Sequence, residues 1–258
     1  MTDVLKGKTA VVTGASRGIG KGIAMRLAAD GAFVVINYAT ATKNAEEAVK
    51  AITAKGGRAV AIQGELGSDK SIATFVTALD EVLKKHAGGP ELDILVNNIG
   101  GANQGTCATE TSENYDWTFS NNVRAPFFLT QKLIPRFRKY GRIINISSAT
   151  TRLELFEYAS YSMAKAAVNM YTKILAKELA PRSIAVNCVQ PGYTATESEE
   201  IAKVLNNPEM KKAVEGMTAM GRWGYPEDIA EVVFMLCSRP GDWLTGQIIE
   251  ASGGFRIN

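Results

Sequence analysis

Histidine and cysteine are scarce in this chain. Its one histidine, His86, lies in the charged stretch VLKKHAGG, where we expect a solvated side chain and not a general base. A Ser-His-Asp hydrolase is therefore excluded. The three cysteines, Cys107, Cys188 and Cys237, lie far apart and lack the spacing of metal ligands. We expect buried free thiols, with neither a disulfide framework nor a metal site.

Long hydrophobic runs and blocks of one charge are also missing. The first apolar segment, in MTDVLKGKTAVVTG, is too short for a signal-peptide core or a membrane span. The 29 basic and 26 acidic residues give a net charge of +3 and are spread evenly, without the basic blocks of a nucleic-acid surface. We expect a cytoplasmic protein with no nucleic acid and no membrane among its partners.

The chain shows no division into parts. No linker, repeat or low-complexity tract interrupts it, so residues 1–258 are predicted to form a single domain. Short apolar, β-branched segments alternate with amphipathic helical patterns; in order they are KTAVVTG, AFVVINY, RAVAIQG, LDILVNN, GRIINISS, SIAVNCVQ and GQIIEA. Apolar strands separated by single helices indicate a parallel sheet buried on both faces. The predicted fold class is α/β: a Rossmann-type, doubly wound parallel sheet with helices on both faces and ligands at the carboxyl ends of the strands.

A glycine-rich loop follows the first predicted strand. In TGASRGIG, residues 13–20, Gly14, Gly18 and Gly20 let the backbone turn tightly and approach a ligand closely. The helix that begins there would present unpaired N–H groups and a partial positive charge to a pyrophosphate. The spacing differs from G-x-G-x-x-G, and the absence of Gly-Lys-Ser/Thr disfavours a kinase or ATPase. A dinucleotide is the predicted ligand, and an ordinary glycine-rich turn is the alternative.

Tyr161 and Lys165 are candidates for acid/base chemistry. They stand four residues apart in SYSMAK, a helix-favouring stretch, so both side chains lie on one face. An ammonium group beside a phenol lowers the phenol pKa from about 10 toward neutrality, which suits a proton donor to a reduced carbonyl. Tyr158 is the alternative acid, but only Tyr161 has a lysine at this distance. Ser148, which ends the strand GRIINISS, and its neighbour Ser147 are candidate donors to the substrate oxygen. Alternation along the strand points only one of the two toward the cleft, and we choose Ser148.

A proline predicts an irregular helix around Asn122. Pro126 follows Asn122 by four residues in the helical segment ENYDWTFSNNVRAPFFLTQKLIPRF. Because proline lacks an N–H and its ring crowds the carbonyl four residues earlier, the Asn122 carbonyl loses its helical partner and the helix should kink. That carbonyl becomes available to water. A kink that serves packing alone is the alternative.

Six motifs together resemble the short-chain dehydrogenase/reductase family. TGASRGIG, NNIG at residues 97–100, Asn122, Ser148, YSMAK and PGYTATE at residues 191–197 occur in that family's order and spacing, and the resemblance covers nearly the whole chain. The chain is most similar to the ketoreductase branch typified by 3-oxoacyl-[acyl-carrier-protein] reductases, which implies a nicotinamide cofactor and usually a tetramer. The resemblance also implies that Asn122, Ser148, Tyr161 and Lys165 are catalytic, and that Asn122 holds a water that links the lysine to solvent.

The same resemblance implies which residues contact the cofactor. They are Gly14, Ser16, Arg17, Gly18, Ile19, Gly20, Tyr38, Ala39, Thr40, Glu65, Leu66, Asn98, Gly100, Tyr161, Lys165, Pro191, Gly192, Thr194 and Thr196. An enzyme that prefers NAD holds the ribose 2′-hydroxyl with an acidic side chain after the second strand, and VVINYATATK has none. Arg17 can pair with a 2′-phosphate instead, and Lys43 is a further candidate. NADP(H) is favoured. Many NADP-preferring relatives carry arginine where Ala39 stands, and because this chain lacks that arginine, NAD(H) is also possible.

The substrate is expected beside ATTRLELFEYAS, residues 149–160, which mixes apolar and charged side chains whose directions the sequence leaves open. Residues 194–220 are polar, contain methionines and are interrupted by Pro208; they are predicted to form a mobile substrate cover, with a surface helical pair as the alternative. One basic cluster is interpreted either as a patch for an acidic carrier protein or as a solvated helix end: Arg136, Arg138, Lys139 and Arg142.

The helix predicted from about Ser160 to Leu179 is apolar around much of its circumference, so its outer side needs a partner. We expect a homotetramer or, failing that, a dimer.

The predicted function is an NADPH-dependent oxidoreductase that reduces a ketone or a 3-oxoacyl-type carbonyl, on a small molecule or an acyl thioester. The alternatives are an NAD(P)+-dependent secondary alcohol dehydrogenase of a biosynthetic pathway and a non-catalytic nucleotide-sensing protein.

Overall fold

Seven strands form one parallel sheet in the computed structural model, which describes residues 3–256. They are β1 (Thr9–Val12), β2 (Phe33–Tyr38), β3 (Arg58–Gln63), β4 (Leu92–Asn97), β5 (Phe137–Ile146), β6 (Ala185–Pro191) and β7 (Ile248–Ala251). The order across the sheet is β3-β2-β1-β4-β5-β6-β7, and each pairing is parallel. Each apolar segment singled out in the sequence is a strand, so the predicted doubly wound α/β fold is confirmed.

Helices connect the strands and cover both faces of the sheet. Within residues 3–256 they are α1 (Gly18–Ala29), α2 (Thr42–Ala54), α3 (Asp69–Ala87), α4 (Ser112–Phe119), α5 (Ala125–Leu133), α6 (Ala159–Leu179), α7 (Glu199–Leu205), α8 (Pro208–Gly216) and α9 (Pro226–Cys237). In β1, Ala10 and Val12 join an apolar core with α1, α2 and α9, whereas Val11 joins the opposite core with α3, α5 and α6. Because both faces are buried, the strand sequence is continuously apolar.

The strand order reverses between β1 and β4, where folds of this kind bind ligands. Hydrogen bonds join the two loops that follow these strands. The Thr13 hydroxyl accepts from the backbone N–H groups of Asn98 and Ile99 at 2.9 and 3.0 Å. The Asn98 side-chain amide donates to the carbonyls of Thr13 and Gly14 at 2.9 and 3.1 Å. The glycine-rich loop is therefore fixed against the NNIG segment.

The helical segment around Asn122 is irregular, as the sequence predicts. A π-helical turn, Ser120–Arg124, separates α4 from α5, and Pro126 lies in the first turn of α5. The proline supplies no N–H to close an α-helical turn on the Asn122 carbonyl. Wide turns of this kind are frequent at functional sites.

The basic cluster of residues 136–142 does not border the ligand-binding edge, which corrects one of its two interpretations. It lies at the amino end of β5, opposite the loops that follow the strands. Arg136 donates two hydrogen bonds of 2.6 Å to Asp80, and Arg142 pairs with Asp242 at 2.6 Å. Carboxylates within the chain therefore neutralise part of this charge, far from the cleft.

One cysteine also differs from expectation. Cys107 is exposed in the loop between β4 and α4, whereas Cys188 and Cys237 are buried. Polar residues surround Cys107 in this loop, GGANQGTCATETS, so no apolar pattern draws it inward. Among residues 3–256, no helix combines the length and apolar character needed to cross a bilayer.

Candidate active site

A cavity of about 550 Å³ opens at the carboxyl edge of the sheet. The loops after β1, β4, β5 and β6, the start of α6 and the C-terminal segment form its walls. Most of the predicted site residues line it: Gly14, Arg17, Gly18, Ile19, Gly20, Asn98, Gly100, Ser148, Tyr161, Lys165, Pro191, Gly192, Thr194 and Thr196. Residues from distant parts of the sequence thus share one space.

Other predicted residues lie outside the cavity lining: Ser16, Tyr38, Ala39, Thr40, Glu65, Leu66 and Asn122. Ser16 is buried within the glycine-rich loop, and the Leu66 side chain is buried in an apolar core, so only its backbone can face a ligand. Thr40 and Glu65 are exposed where the chain leaves β2 and β3. A contact of this second group with a cofactor stays a prediction.

The glycine-rich loop has a backbone that few residues other than glycine adopt. Gly14 and Gly18 have φ values of +60° and +55°, in the left-handed region. At Gly20, a Cβ atom would lie 2.5 Å from the Asn98 side-chain nitrogen and 2.6 Å from the Gly14 carbonyl oxygen. The Gly18 N–H, at the start of α1, donates to the Glu197 carboxylate at 2.8 Å. The loop therefore already binds an anionic oxygen at the end of a helix, as a phosphate site would.

Lys165 is buried next to Tyr161, with 4% of its surface exposed. Its Nζ donates to the Ile146 carbonyl at 2.9 Å and lies 5.6 Å from the centre of the Tyr161 ring. Burial lowers the pKa of Lys165 from 10.5 to about 8, because water no longer solvates the ammonium group. One face of α6 thus brings the amine and the phenol together, as the four-residue spacing predicts.

The two serines at the end of β5 differ in their partners. Both line the cavity, so the expectation that only one faces the cleft is wrong, but the Ser147 hydroxyl donates to the Lys165 carbonyl at 3.0 Å and so holds α6 against β5. The Ser148 hydroxyl accepts from the Thr150 N–H at 3.2 Å and caps the short 3₁₀ turn Ala149–Arg152. Accepting this bond leaves the hydroxyl proton of Ser148 for donation. Its assignment as the donor to the substrate stays a prediction that this geometry favours.

Asn122 lies behind the cavity wall. Its side-chain amide donates to the carbonyls of Gly101 and Thr118 at 3.0 and 2.9 Å. Its Oδ1 is buried without a hydrogen-bond partner among residues 3–256. A Cβ atom on Gly100 would lie 2.3 Å from this oxygen and 3.2 Å from the Lys165 Nζ. The unpaired acceptor and the ammonium therefore adjoin the same glycine.

Several cavity residues were not anticipated from the sequence. The missed side chains include Trp117, Tyr193 and Phe255, whereas Ser198 lies within the predicted cover. Leu153 and Leu155 come from the segment expected to border the substrate, and both face the cavity. The anion contact of Glu197 was also missed, although PGYTATE was singled out. Within the predicted cover, Thr194, Thr196 and Ile201 line the cavity and Pro208 begins α8; its mobility stays a prediction.

Comparisons with known proteins agree with this geometry. The model of a family described as enoyl-(acyl carrier protein) reductase matches residues 14–256. An uncharacterized oxidoreductase of Methylorubrum extorquens is 44% identical, over 98% of this chain and 99% of its own. The angucycline C-6 ketoreductase LanV, solved with bound NADP, has a TM-score of 0.94 and 38% identity, covering 99% of this chain and 98% of that one. LugOII, a promiscuous reductase that catalyses keto-reduction at C1 during lugdunomycin biosynthesis, has a TM-score of 0.94 and 39% identity, covering 99% and 100%.

Proposed function

Because this chain belongs to the short-chain dehydrogenase/reductase family, we propose that it is an NADPH-dependent reductase that converts a ketone to a secondary alcohol. One observation carries the proposal. Tyr161, Lys165 and Ser148 lie in the same cavity as the glycine-rich loop, so a proton donor and an anion-binding helix end share one cleft.

The residues present fit a dinucleotide of the NADP type. The loop binds a carboxylate at the Gly18 N–H, and Arg17 is exposed beside it at the N-cap of α1. The residues that end and follow β2, Tyr38, Ala39 and Thr40, carry no charge that would repel a 2′-phosphate. LanV, which is similar over nearly its whole length, was solved with NADP. When bound, NADPH supplies the hydride that reduces the carbonyl carbon.

The side chains of this site supply the proton and the charge. The Ser148 hydroxyl donates a hydrogen bond to the carbonyl oxygen, which stabilises the negative charge that develops there. Tyr161 gives its phenolic proton to that oxygen. With a pKa of about 8, Lys165 is mostly protonated at neutral pH, and its charge favours the tyrosinate that remains. Asn122 contributes acceptors for a water that returns a proton toward Lys165.

The position of the basic cluster favours a small-molecule ketone over a carrier-bound acyl group, and apolar side chains in the cavity wall suit an apolar skeleton. Leu153, Leu155 and Ile201 line the cavity. The basic cluster that would dock an acidic carrier lies at the amino end of β5. LanV is described as an angucycline C-6 ketoreductase, and LugOII as a reductase that catalyses keto-reduction during lugdunomycin biosynthesis.

A panel of ketones incubated with NADPH, followed by cofactor absorbance, tests the function. Tyr161→Phe should lower turnover by about a hundredfold or more while NADPH binding is retained. Tyr158→Phe is the matched control, since Tyr158 lines the same cavity and carries the same hydroxyl. Full activity in Tyr161→Phe would contradict the proposal, and loss only in Tyr158→Phe would transfer the acid to that residue.

The same assays separate the alternatives. An alcohol dehydrogenase that works in the oxidative direction should show the larger kcat/KM with NADP+ or NAD+ and a secondary alcohol. An enoyl thioester in the panel tests the reaction named in the matching family's description. A nucleotide-sensing protein would bind NADPH, turn over nothing, and keep its response in Tyr161→Phe.

We also propose that the protein is a homotetramer or, failing that, a dimer, assembled through the outer face of α6. Met163, Met170 and Ile174 of this helix are 54%, 57% and 58% exposed, and Phe127 of α5 is 41% exposed. Apolar faces of this kind usually mark an interface. Size-exclusion chromatography with light scattering should show an oligomer at micromolar protein, and Met170→Glu should weaken it. A monomer at that concentration would contradict the proposal.

A further inference from the structure

The C-terminal segment, residues 252–256, closes one side of the cavity. Gly253 and Gly254 have φ values of +63° and +74°, so two successive left-handed residues reverse the chain and direct it back to the cleft. Phe255 then lies in the cavity wall with only 3% of its surface exposed.

This segment is paired with the chain that leaves the predicted substrate cover. The Met220 N–H donates to the Gly253 carbonyl at 3.0 Å, and the Arg256 N–H donates to the Met217 carbonyl at 2.8 Å. Thr218 and Phe255 form an antiparallel bridge between these contacts. The position of Phe255 is therefore set by backbone bonds on one side.

Arg152 holds the segment from the other side. Its guanidinium forms two hydrogen bonds with the Glu250 carboxylate, at 2.5 and 2.7 Å. The same group donates to the Arg256 carbonyl at 3.0 Å and to the Phe255 carbonyl. Arginine presents several donors in a rigid plane, so it can hold these acceptors together in a way that lysine cannot.

The arginine also connects this wall to the predicted proton-transfer site. Arg152 ends the 3₁₀ turn that Ser148 caps, so the Ser148 hydroxyl and the Phe255 backbone are fixed to one short element. The direction of Arg152, which the sequence left open, is therefore away from the cavity and toward the C-terminal segment.

An aromatic row extends from Phe255. Its ring meets Tyr193 edge-on at 5.2 Å, and Tyr193 meets Trp223 edge-on at 5.4 Å. Phe255 and Tyr193 both line the cavity, whereas Trp223 is buried behind them. A rigid aromatic wall fits a flat ring better than a flexible chain, because no side chain has to be reordered on binding.

We propose that Phe255 selects ketones fused to an aromatic ring and that Arg152 is a positioning residue that acts through Phe255. This inference rests on the proposed function and names its substrate class. The relevant comparison is between α-tetralone, a bicyclic aryl ketone, and butanone, which carries no ring that could pack on the wall.

Phe255→Leu keeps an apolar side chain but removes the flat ring. It should lower kcat/KM for α-tetralone by about tenfold, mainly through KM, and leave butanone and the Kd of NADPH unchanged. Arg152→Lys should have the same selective effect, because backbone hydrogen bonds from Thr151 to Ser148 and from Leu153 to Thr150 hold the Ser148 turn without the guanidinium. In the double variant the two losses should not multiply, because both act on one contact. Trp243→Ala is the control, since Trp243 is 98% exposed and should change neither ketone.

Three results of the turnover assay would overturn the inference: equal losses for both ketones, no loss in Phe255→Leu, or multiplied losses in the double variant. Calorimetric titration of the NADP+ complex with α-tetralone gives an answer that does not need turnover. If wild type binds α-tetralone but reduces no ketone, and Phe255→Leu binds it more weakly, the reductase proposal fails while the wall proposal stands. If wild type does not bind α-tetralone, the wall proposal fails.

Discussion

Replacing Lys165 by methionine should change how stability depends on pH. The methionine side chain is about as long and carries no charge. In the folded protein burial lowers the pKa of Lys165 from 10.5 to about 8. Folded and unfolded chains therefore bind different numbers of protons between these two values.

The pKa interval from about 8 to 10.5 sets the sign and size of the change in unfolding free energy with pH. Between pH 8 and 10.5 the unfolded chain keeps the proton that the folded chain has released, so the free energy of unfolding of wild type rises with pH. The slope is about 1.4 kcal/mol per pH unit, which amounts to about 3 kcal/mol over the interval. Below pH 8 the whole penalty of the buried ammonium acts on wild type. Lys165→Met lacks it, so its stability relative to wild type should be greatest at neutral pH and fall by about 3 kcal/mol by pH 10.5.

Urea unfolding followed by tryptophan fluorescence, at a fixed protein concentration and several pH values, measures this difference. Lys177→Met is the matched control, because Lys177 is exposed on the same helix. Stability curves of Lys165→Met and wild type that run parallel from pH 7 to 10.5 would refute the reasoning. The variant should also lose reductase activity. Higher stability at neutral pH together with lost activity would show that the buried charge is kept at the expense of stability.

Two further variants test the glycine-rich loop. Glu197→Gln should bind NADPH severalfold more tightly, because the Glu197 carboxylate, which accepts from the Gly18 N–H, competes with phosphate oxygens for that donor. Calorimetry measures the Kd, and Glu209→Gln on the exposed surface of α8 is the control. Weaker binding by Glu197→Gln would mean that Glu197 aids the cofactor. Gly20→Ala should abolish NADPH binding, since its Cβ would lie 2.6 Å from a carbonyl oxygen of the same loop. Gly216→Ala, whose Cβ would have no atom of residues 3–256 within 4 Å, should bind NADPH normally. Normal binding by Gly20→Ala would show that the loop is free to widen.

The parts of the molecule that the sequence predicts are those set by local periodicity. Strands buried on both faces are continuously apolar, so each was visible without knowledge of its neighbours. Tyr161 and Lys165 meet because a helix places residues four apart on one face. Pro126 lacks the N–H that the Asn122 carbonyl needs, so the sequence predicts an irregular turn there, and the structure shows that this turn is π-helical.

The parts that the sequence did not reveal depend on residues far apart in the chain. Arg152 and Glu250 pair across nearly a hundred positions, and neither has a local pattern that names the other. Phe255 is an apolar residue near the end of the chain, and its place in the cavity follows from two glycines and the strand-like pairing with residues 217–220. The carboxylate of Glu197 reaches the loop at Gly18 for the same reason, through the fold and not through spacing.

Gly100 shows how local and distant constraints combine at the predicted proton-transfer site. Its φ of +152° favours glycine, and a side chain there would collide with the Asn122 Oδ1 and approach the Lys165 Nζ. The glycine thus adjoins both a buried acceptor that has no partner among residues 3–256 and a buried ammonium that donates to the Ile146 carbonyl. Each group is unfavourable alone, because burial removes water without full replacement of its hydrogen bonds. One water molecule there would donate to the amide oxygen and accept from the ammonium, so we expect the groups that destabilise the fold to be the ones that conduct protons to Tyr161.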